Sequence, residues 1–463
     1  MEYFFYLIIF LIPYLAVSPW QKVMRIPAGL IYVGLVLVFV LMLLLERPER
    51  LRWKNISRVQ LVVPLLIFFA VNLFSILRII ISKGMAALNA NNLKEMGFLG
   101  FAVLFYWAVT VFVDNEERFM KSLKTFVICS SIASIYGITR LILFMVGSDY
   151  GLAQGWTVPR LLATAGESQV FGGFVISVLP LMIADVLFKN NIFEGPWNHF
   201  HMGILLLALI MTFSAGAWAG LVVAVIFLVL WFRYYSPKSI VSSALVVLVV
   251  TMGVFLIDRT IYPNYLEGFN SIVFKITGHA PAPEKFANKN AFEVLKQEMP
   301  QSTASRDQQY VESVFSKVER SWFRAALWNM FKSSPILGIG AGNFEALYNK
   351  YRPPGVPAPP YVPKPHNQYM EILAETGIIG MLAFIGIILN LFWYIFQCWP
   401  RLEPNKRRIL VGLVACLLAV GVHGYAFGIL VHLQVWLLLA LTMSLLKLDP
   451  TTRTLSAIRG GLY

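Results

Sequence analysis

Charged residues are scarce in this chain. Asp, Glu, Lys and Arg make up only 13% of its 463 residues, and 58% are hydrophobic. An average soluble domain carries about 25% charged residues. Together with a mean hydropathy of +0.69, this composition excludes an ordinary soluble domain. It predicts an all-α integral membrane protein.

Cysteines are few, and metal-binding motifs are lacking. The three cysteines, Cys129, Cys398 and Cys416, lie within or at the end of apolar runs, which excludes a disulfide framework and a thiolate metal site. HExxH, CxxC and EF-hand patterns do not occur. The glycine-rich GIGAGNF (338–344) has neither the Walker lysine nor the Rossmann spacing. The sequence therefore predicts no metal and no cofactor.

Acidic residues are outnumbered by basic ones, 24 against 38, for a net charge of +14. In a soluble protein this excess would suggest nucleic acid as a partner. Here most cations of the short loops fall on alternate loops, as the positive-inside rule requires of a membrane protein. We therefore expect no nucleic-acid partner.

Long apolar runs dominate the chain. A helix needs about 20 mostly apolar residues to cross the hydrocarbon core of a bilayer. By this measure the sequence predicts about twelve transmembrane helices. They cover 2–17, 27–45, 61–81, 97–113, 123–146, 168–188, 201–214, 217–232, 239–257, 372–397, 409–424 and 426–446.

The basic loops set the expected orientation. The loop 46–58 carries five Lys and Arg residues and is placed in the cytoplasm. The N-terminal run has no basic n-region and no small-residue cleavage site, so it is interpreted as a retained span. We expect both termini to be cytoplasmic.

This topology divides the chain into four parts. They are an N-terminal bundle of about nine spans (1–257), a large loop on the outer, periplasmic side (258–371), three C-terminal spans (372–446) and a cytoplasmic tail (447–463). Long loops of this kind are usually functional. Apolar residues recur at helical spacing from Gln308 to Lys332, which predicts an amphipathic helix within the loop.

Arginines near the outer boundary are candidates for anion binding. Arg78 and Arg140 lie near the outer ends of predicted spans, and Arg160 precedes the sixth span. One interpretation is that Arg78 and Arg140 extend to the lipid headgroups. The other is that these guanidiniums together bind phosphate or diphosphate, which Arg contacts in a bidentate manner.

His366 opens the helix that begins the tenth span. A single loop histidine is more often structural than catalytic, but a helix N-terminus suits an anion and an imidazole exchanges protons near neutral pH. Glu371 and Glu375 are four residues apart and share a face of this helix. At its depth Glu375 must be paired or protonated. It either pairs with an arginine or holds helices together.

Three stretches resemble the O-antigen ligase and polymerase superfamily of bacterial envelope glycosyltransferases. PRLLATAGESQVFGGFVISVLPLMIA (159–184) is similar to an arginine-led segment that enters a span. SWFRAALWNMFKSSPILGIGAGNF (321–344) contains an Arg, aromatics and a P-x-L-G-x-G-x-G-x-F pattern. HNQYMEILAETGIIG (366–380) is similar to a signature that begins with His-Asn and contains Glu and two glycines.

This resemblance implies a GT-C-type membrane fold in the inner membrane of a bacterium. It also implies metal-independent transfer of a glycan from an undecaprenyl diphosphate carrier to an acceptor hydroxyl. His366 falls on the essential histidine of the superfamily, Arg324 on its outer-loop arginine and Arg160 on the arginine before the sixth span. Arg140 and Arg78 are further candidates for diphosphate binding. Asn367, Glu371 and Glu375 are expected to support the site.

One position departs from the superfamily pattern. A Ser-Arg pair is common after the seventh span, whereas here Ser214 is followed by Ala215. This departure slightly favours a polymerase, whose acceptor is another lipid-linked glycan. A ligase acting on the lipid A core, a protein O-oligosaccharyltransferase and a flippase for the same lipid remain alternatives. The sugar, its linkage and the oligomeric state stay open.

Overall fold

A computed structural model describes most of the chain. It covers residues 1–14, 28–46, 59–153, 158–190, 192–231, 235–277, 293–294, 306–356, 358 and 364–448. Most of the basic loop 46–58, Arg233 and most of the tail 447–463 lie outside these ranges, and so do large parts of the loop 258–371.

The described residues form helices joined by turns and short loops, without a β-sheet. The helices are α1 (Glu2–Leu11), α2 (Ala28–Glu46), α3 (Val62–Lys83), α4 (Ala90–Phe112), α5 (Glu116–Met145), α6 (Ser168–Ile176), α7 (Leu179–Phe188), α8 (Trp197–Thr212), α9 (Ala215–Val229), α10 (Pro237–Leu256), α11 (Gly268–Thr277), α12 (Arg306–Ser333), α13 (Phe344–Tyr351), α14 (Gln368–Cys398), α15 (Pro404–His423) and α16 (Leu433–Lys447). Each predicted span overlaps one α-helix, except 168–188, which is divided between α6 and α7.

Six helical segments in the described part are long and apolar enough to cross a membrane. They are Val62–Ser82, Ala90–Phe112, Glu116–Met145, Ser168–Phe188, Pro237–Ile261 and Gln368–Arg401. Apolar side chains on α10, among them Leu248, Val249 and Met252, are more than half exposed, as suits a surface that faces lipid. The prediction of an all-α integral membrane protein is confirmed. The count of twelve spans stays a prediction, because several of the apolar helices are shorter than a full span.

The division between α6 and α7 has a local cause. Pro180 lies in the first turn of α7 and has no backbone N–H to continue the hydrogen bonds of α6. The segment 168–188 is among the most buried of the long apolar segments, so the freed backbone groups lie within protein.

Helices from both halves of the sequence pack together around one region. Helix α15 packs against α9 and α7, while α14 packs against α3 and α12. Close packing depends on small residues: a Cβ on Gly220 of α9 would lie 2.4 Å from the carbonyl oxygen of Ala419 in α15. Helices α3, α9, α14, α15 and α16 thus enclose the region described below.

Helix α14 is interrupted at Gly377, which has φ 67° and ψ −164°. The loop 335–343 docks into this break and supplies the missing hydrogen-bond partners. Ile339 N–H donates to Ala374 O at 3.0 Å and Gly340 N–H to Glu375 O at 2.8 Å. Ile378 N–H donates in return to Pro335 O at 2.9 Å. The backbone groups at the break are therefore paired within protein, as membrane depth requires.

Side chains fix the docked loop from three helices. The carboxylate of Glu375 accepts the N–H of Gly342 at 2.8 Å and that of Phe344 at 2.9 Å. Asn92 of α4 donates to Ala341 O at 2.5 Å, and Arg78 of α3 donates to Gly338 O. Glu375 was expected either to pair with an arginine or to hold helices together. These contacts match the second interpretation. The motif 338–344 therefore has a structural role, since it belongs to the segment that packs against the interruption of α14.

Candidate functional site

A large cavity of about 800 Å³ lies between helices α3, α9, α12, α14, α15 and α16. Its walls are mostly apolar side chains, including Leu65, Phe384, Leu391, Leu417 and Leu439. Ile388 and Phe392 line it and are also about two-fifths exposed on the surface of α14. The large cavity therefore opens onto an exposed apolar surface of α14.

Three cations of α12 lie at one end of the large cavity. Lys317, Arg320 and Arg324 all line it. Their spacing of three and four residues places them on one face of the helix. Phe323 and Leu327 lie beside these cations on the adjoining part of the helix surface, where they are fully buried in a cluster with α13. Helix α12 covers the predicted amphipathic segment 308–332, and its polar face is the cationic part of the cavity wall.

Arg320 carries a positive charge in a desolvated position. Burial lowers the pKa of its guanidinium, and the neighbouring Arg160 and Arg324 act in the same direction. Glu319 and Glu167 oppose this effect. Burial also raises the pKa of Glu319 to about 7. An anion bound in the large cavity would restore the charge balance around Arg320.

His366 has a backbone conformation that is unusual for a residue with a side chain, with φ 49°. The next residue, Asn367, caps α14 by accepting the N–H of Met370 at 3.0 Å. The imidazole lies between the rings of Phe323 and Phe427, whose centroids are 6.1 and 5.6 Å from its own. Such strained positions persist only where surrounding packing enforces them, and they cluster at functional sites.

The electrostatic surroundings keep His366 neutral. Burial lowers the pKa of the imidazole to about 3, with smaller effects from Arg320 and Lys364. Its Nδ1 is buried and has no hydrogen-bond partner within the described ranges. A neutral imidazole at pH 7 has a free lone pair and is therefore able to accept a proton.

The other predicted arginines lie elsewhere. Arg160 is in the segment before α6, where the adjacent Leu161 N–H donates to Met211 O at 2.8 Å. It is close enough to affect Arg320 electrostatically but does not line the large cavity. Arg140 donates to the hydroxyl of Tyr136 at 3.0 Å, one turn earlier on α5. Arg78 contacts the docked loop, as described above.

Two cations at the large cavity were missed in the sequence. Lys317 and Arg320 line the same cavity as Ala215, the position where the superfamily commonly has arginine. Their spacing relative to Arg324 within the amphipathic segment is the signal that would have found them.

A small cavity of about 390 Å³ lies on another side of His366, which lines both. Its lining is more polar and includes Lys94, Glu95, Glu371 and His432. Carboxylate oxygens of Glu95, Glu371 and Glu375 lie within 4.8 Å of one another, a spacing that would suit a cation. Both oxygens of Glu375 already accept backbone N–H groups, so this carboxylate is poorly placed to bind a metal.

Comparison with known proteins supports the resemblance found in the sequence. Residues 200–385 match the O-antigen ligase family. A second similarity is to the teichuronic acid biosynthesis protein TuaE of Bacillus subtilis (strain 168), 30% identical over 105 residues. This match covers 22% of the present chain and 21% of TuaE, so it spans about a fifth of that protein. The resemblance to the O-antigen ligase and polymerase superfamily is confirmed.

Proposed function

We propose that this chain, on the premise of its match to the O-antigen ligase family, transfers a glycan from undecaprenyl diphosphate to an acceptor hydroxyl. The observation that carries the proposal is the division of the large cavity into long apolar walls and a cationic end. A polyprenyl chain would occupy the apolar part, and the diphosphate would contact the cations of α12. The donor would enter from the bilayer along α14, where Ile388 and Phe392 are exposed.

The reaction breaks the bond between the anomeric carbon and the phosphate oxygen while the acceptor oxygen bonds to the same carbon. The leaving diphosphate gains negative charge, which Arg324, Arg320 and Lys317 would stabilise. Arginine suits this task because its planar group donates two parallel hydrogen bonds to phosphate. These three cations would supply the charge compensation that other enzymes obtain from a metal ion.

His366 would act as the general base. The acceptor hydroxyl loses its proton as the new bond forms, and a neutral imidazole beside the cationic end can take it. The bound diphosphate would also oppose the effect of Arg320 and Lys364 on His366, which raises its pKa toward the usual range. Donor binding would therefore make the base stronger when it is needed.

The positive-inside distribution supports a location for the reaction. With the loop 46–58 in the cytoplasm, His366 and α12 would face the periplasm of a bacterial inner membrane. There the donor would be a completed lipid-linked glycan of O-antigen or another surface polysaccharide.

The test is a transfer assay with purified protein and a labelled lipid-linked glycan. His366→Ala should abolish transfer, and His366→Phe should do the same while preserving the packing between Phe323 and Phe427. Wild-type turnover in either variant would exclude His366 as the base. Transfer in detergent, without a membrane gradient, would exclude a pure flippase.

An experiment in cells distinguishes the possible acceptors. We favour a polymerase, since Ala215 departs from the pattern common in the superfamily. For a source that makes lipopolysaccharide, a deletion strain should then show lipid A core carrying a single repeat. Bare core would indicate a ligase. Unchanged lipopolysaccharide with a lost glycoprotein would indicate a protein O-oligosaccharyltransferase.

A further inference from the structure

The small cavity differs from the large one in its chemistry and adjoins it at His366. It is bounded by α3, α4, the start of α14 and the turn between α15 and α16. Phe427 lies in its wall and contacts the ring of His366 and that of His432, at centroid distances of 5.6 and 5.8 Å. The two cavities thus present two separate approaches to one imidazole.

The small cavity combines hydrogen-bonding groups with flat apolar faces. Glu95 and Lys94 supply an acceptor and a donor from α4, and Phe98 and Phe427 supply ring surfaces. The Nε2 atom of His432 is buried and has no hydrogen-bond partner within the described residues. A ligand with several hydroxyls and an apolar face would satisfy these groups.

We propose that the small cavity binds the acceptor glycan and directs one of its hydroxyls toward His366. The proposal rests on the proposed function, in which the large cavity holds the lipid-linked donor. In a single displacement, the attacking hydroxyl approaches the anomeric carbon opposite the leaving diphosphate. The acceptor therefore needs a binding site that does not overlap the cations of α12, and the small cavity meets this requirement.

The experiment separates acceptor binding from donor binding. Val431 lines the small cavity and is 49% exposed, so Val431→Trp narrows the cavity without disturbing the core. Glu95→Leu removes the hydrogen-bonding carboxyl group at similar volume. Leu93→Trp is the matched control, because Leu93 is 62% exposed and does not line the small cavity. The two readouts are binding of undecaprenyl diphosphate alone and transfer from the labelled lipid-linked glycan.

The expected result is selective. Val431→Trp and Glu95→Leu should lower transfer about tenfold or more, while the Kd for undecaprenyl diphosphate stays within about twofold of wild type. Leu93→Trp should change neither quantity. Wild-type transfer in both cavity variants, or a loss of undecaprenyl diphosphate binding as large as the loss of transfer, would overturn the acceptor site. A wild-type protein that fails to bind undecaprenyl diphosphate would instead refute the proposed function on which the site rests.

Discussion

The Oε2 atom of Glu375 accepts a hydrogen bond from the backbone N–H of Gly342 at 2.8 Å, across 33 positions of sequence. With the bond from Phe344 to Oε1, it ties the docked loop to the middle of an interrupted helix. Glu375 is 3% exposed, so both bonds are shielded from water. The signature glutamate in this chain therefore acts on the backbone of the glycine-rich loop.

Replacing Glu375 by leucine should destabilise the protein. Two buried N–H groups would lose their acceptor, at a cost of about 1–3 kcal/mol for each buried donor left without a partner. Thermal unfolding in detergent should show a midpoint several degrees lower. Glu371→Leu is the control, since the Glu371 carboxylate accepts one bond, from Gln368 at 3.2 Å. Equal midpoints for the two variants would refute the role of Glu375.

Alanine at Gly377 should prevent the loop from docking. The residue has a positive φ of 67°, and a Cβ there would lie 2.3 Å from Ile336 O. We expect Gly377→Ala to give poorly folded protein with increased proteolysis of the loop. Gly386 lies on the same helix with no atom within 4 Å of an added Cβ, so Gly386→Ala should behave as wild type. A stable Gly377→Ala protein would contradict the observed break.

Substitutions at Arg78 and Arg320 should have different effects, the first on stability and the second on donor binding. Arg78 donates to Gly338 O in the docked loop, whereas Arg320 lines the large cavity. Arg78→Met should lower the unfolding midpoint and leave the Kd for undecaprenyl diphosphate nearly unchanged. Arg320→Met should raise that Kd about tenfold or more, as expected for a charged hydrogen bond, with little loss of stability. A large increase in this Kd for Arg78→Met, with no change in the unfolding midpoint, would indicate instead that Arg78 binds diphosphate.

The pH dependence of transfer should report on His366. The neutral imidazole is the active form, and its pKa is lowered from 6.5 to about 3. In the free enzyme, kcat/KM should therefore stay constant as the pH falls from 8 to about 5. The acid limb of kcat should lie at higher pH, because bound diphosphate opposes the cations near His366. Arg320→Gln should move the limb of kcat/KM upward, since Arg320 lowers the pKa of His366. A fall of kcat/KM with an apparent pKa of about 6.5 would show that the pKa of His366 is not lowered in the free enzyme.

The sequence predicted those parts of the fold that depend on local pattern. Hydrophobic runs located the helices, and the spacing between Val311 and Ala326 located α12 within the loop. The division of 168–188 was not predicted, although Pro180 carried the signal. Hydrophobicity alone does not separate a continuous span from two helices joined at a proline.

The hydrophobic pattern of the sequence did not predict contacts between segments that are distant along the chain. The partner of Arg78, Gly338 O, lies 260 positions away in the sequence. The position of Arg78 near the end of a predicted span therefore did not distinguish contact with lipid headgroups from contact with diphosphate. The position of His366 beside a cation-lined cavity was suggested by resemblance and not by its neighbours in sequence. The small cavity was not predicted, because α4, α14 and the turn before α16 meet only through tertiary packing.

The docked loop also imposes an order on biogenesis. Its partners lie on α3 and α4, made early, and on α14, made after the loop itself has left the ribosome. Until α14 enters the bilayer, residues 335–343 have no groove to occupy. A chain that has not yet formed α14 therefore leaves this segment without the partners that hold it in the finished protein.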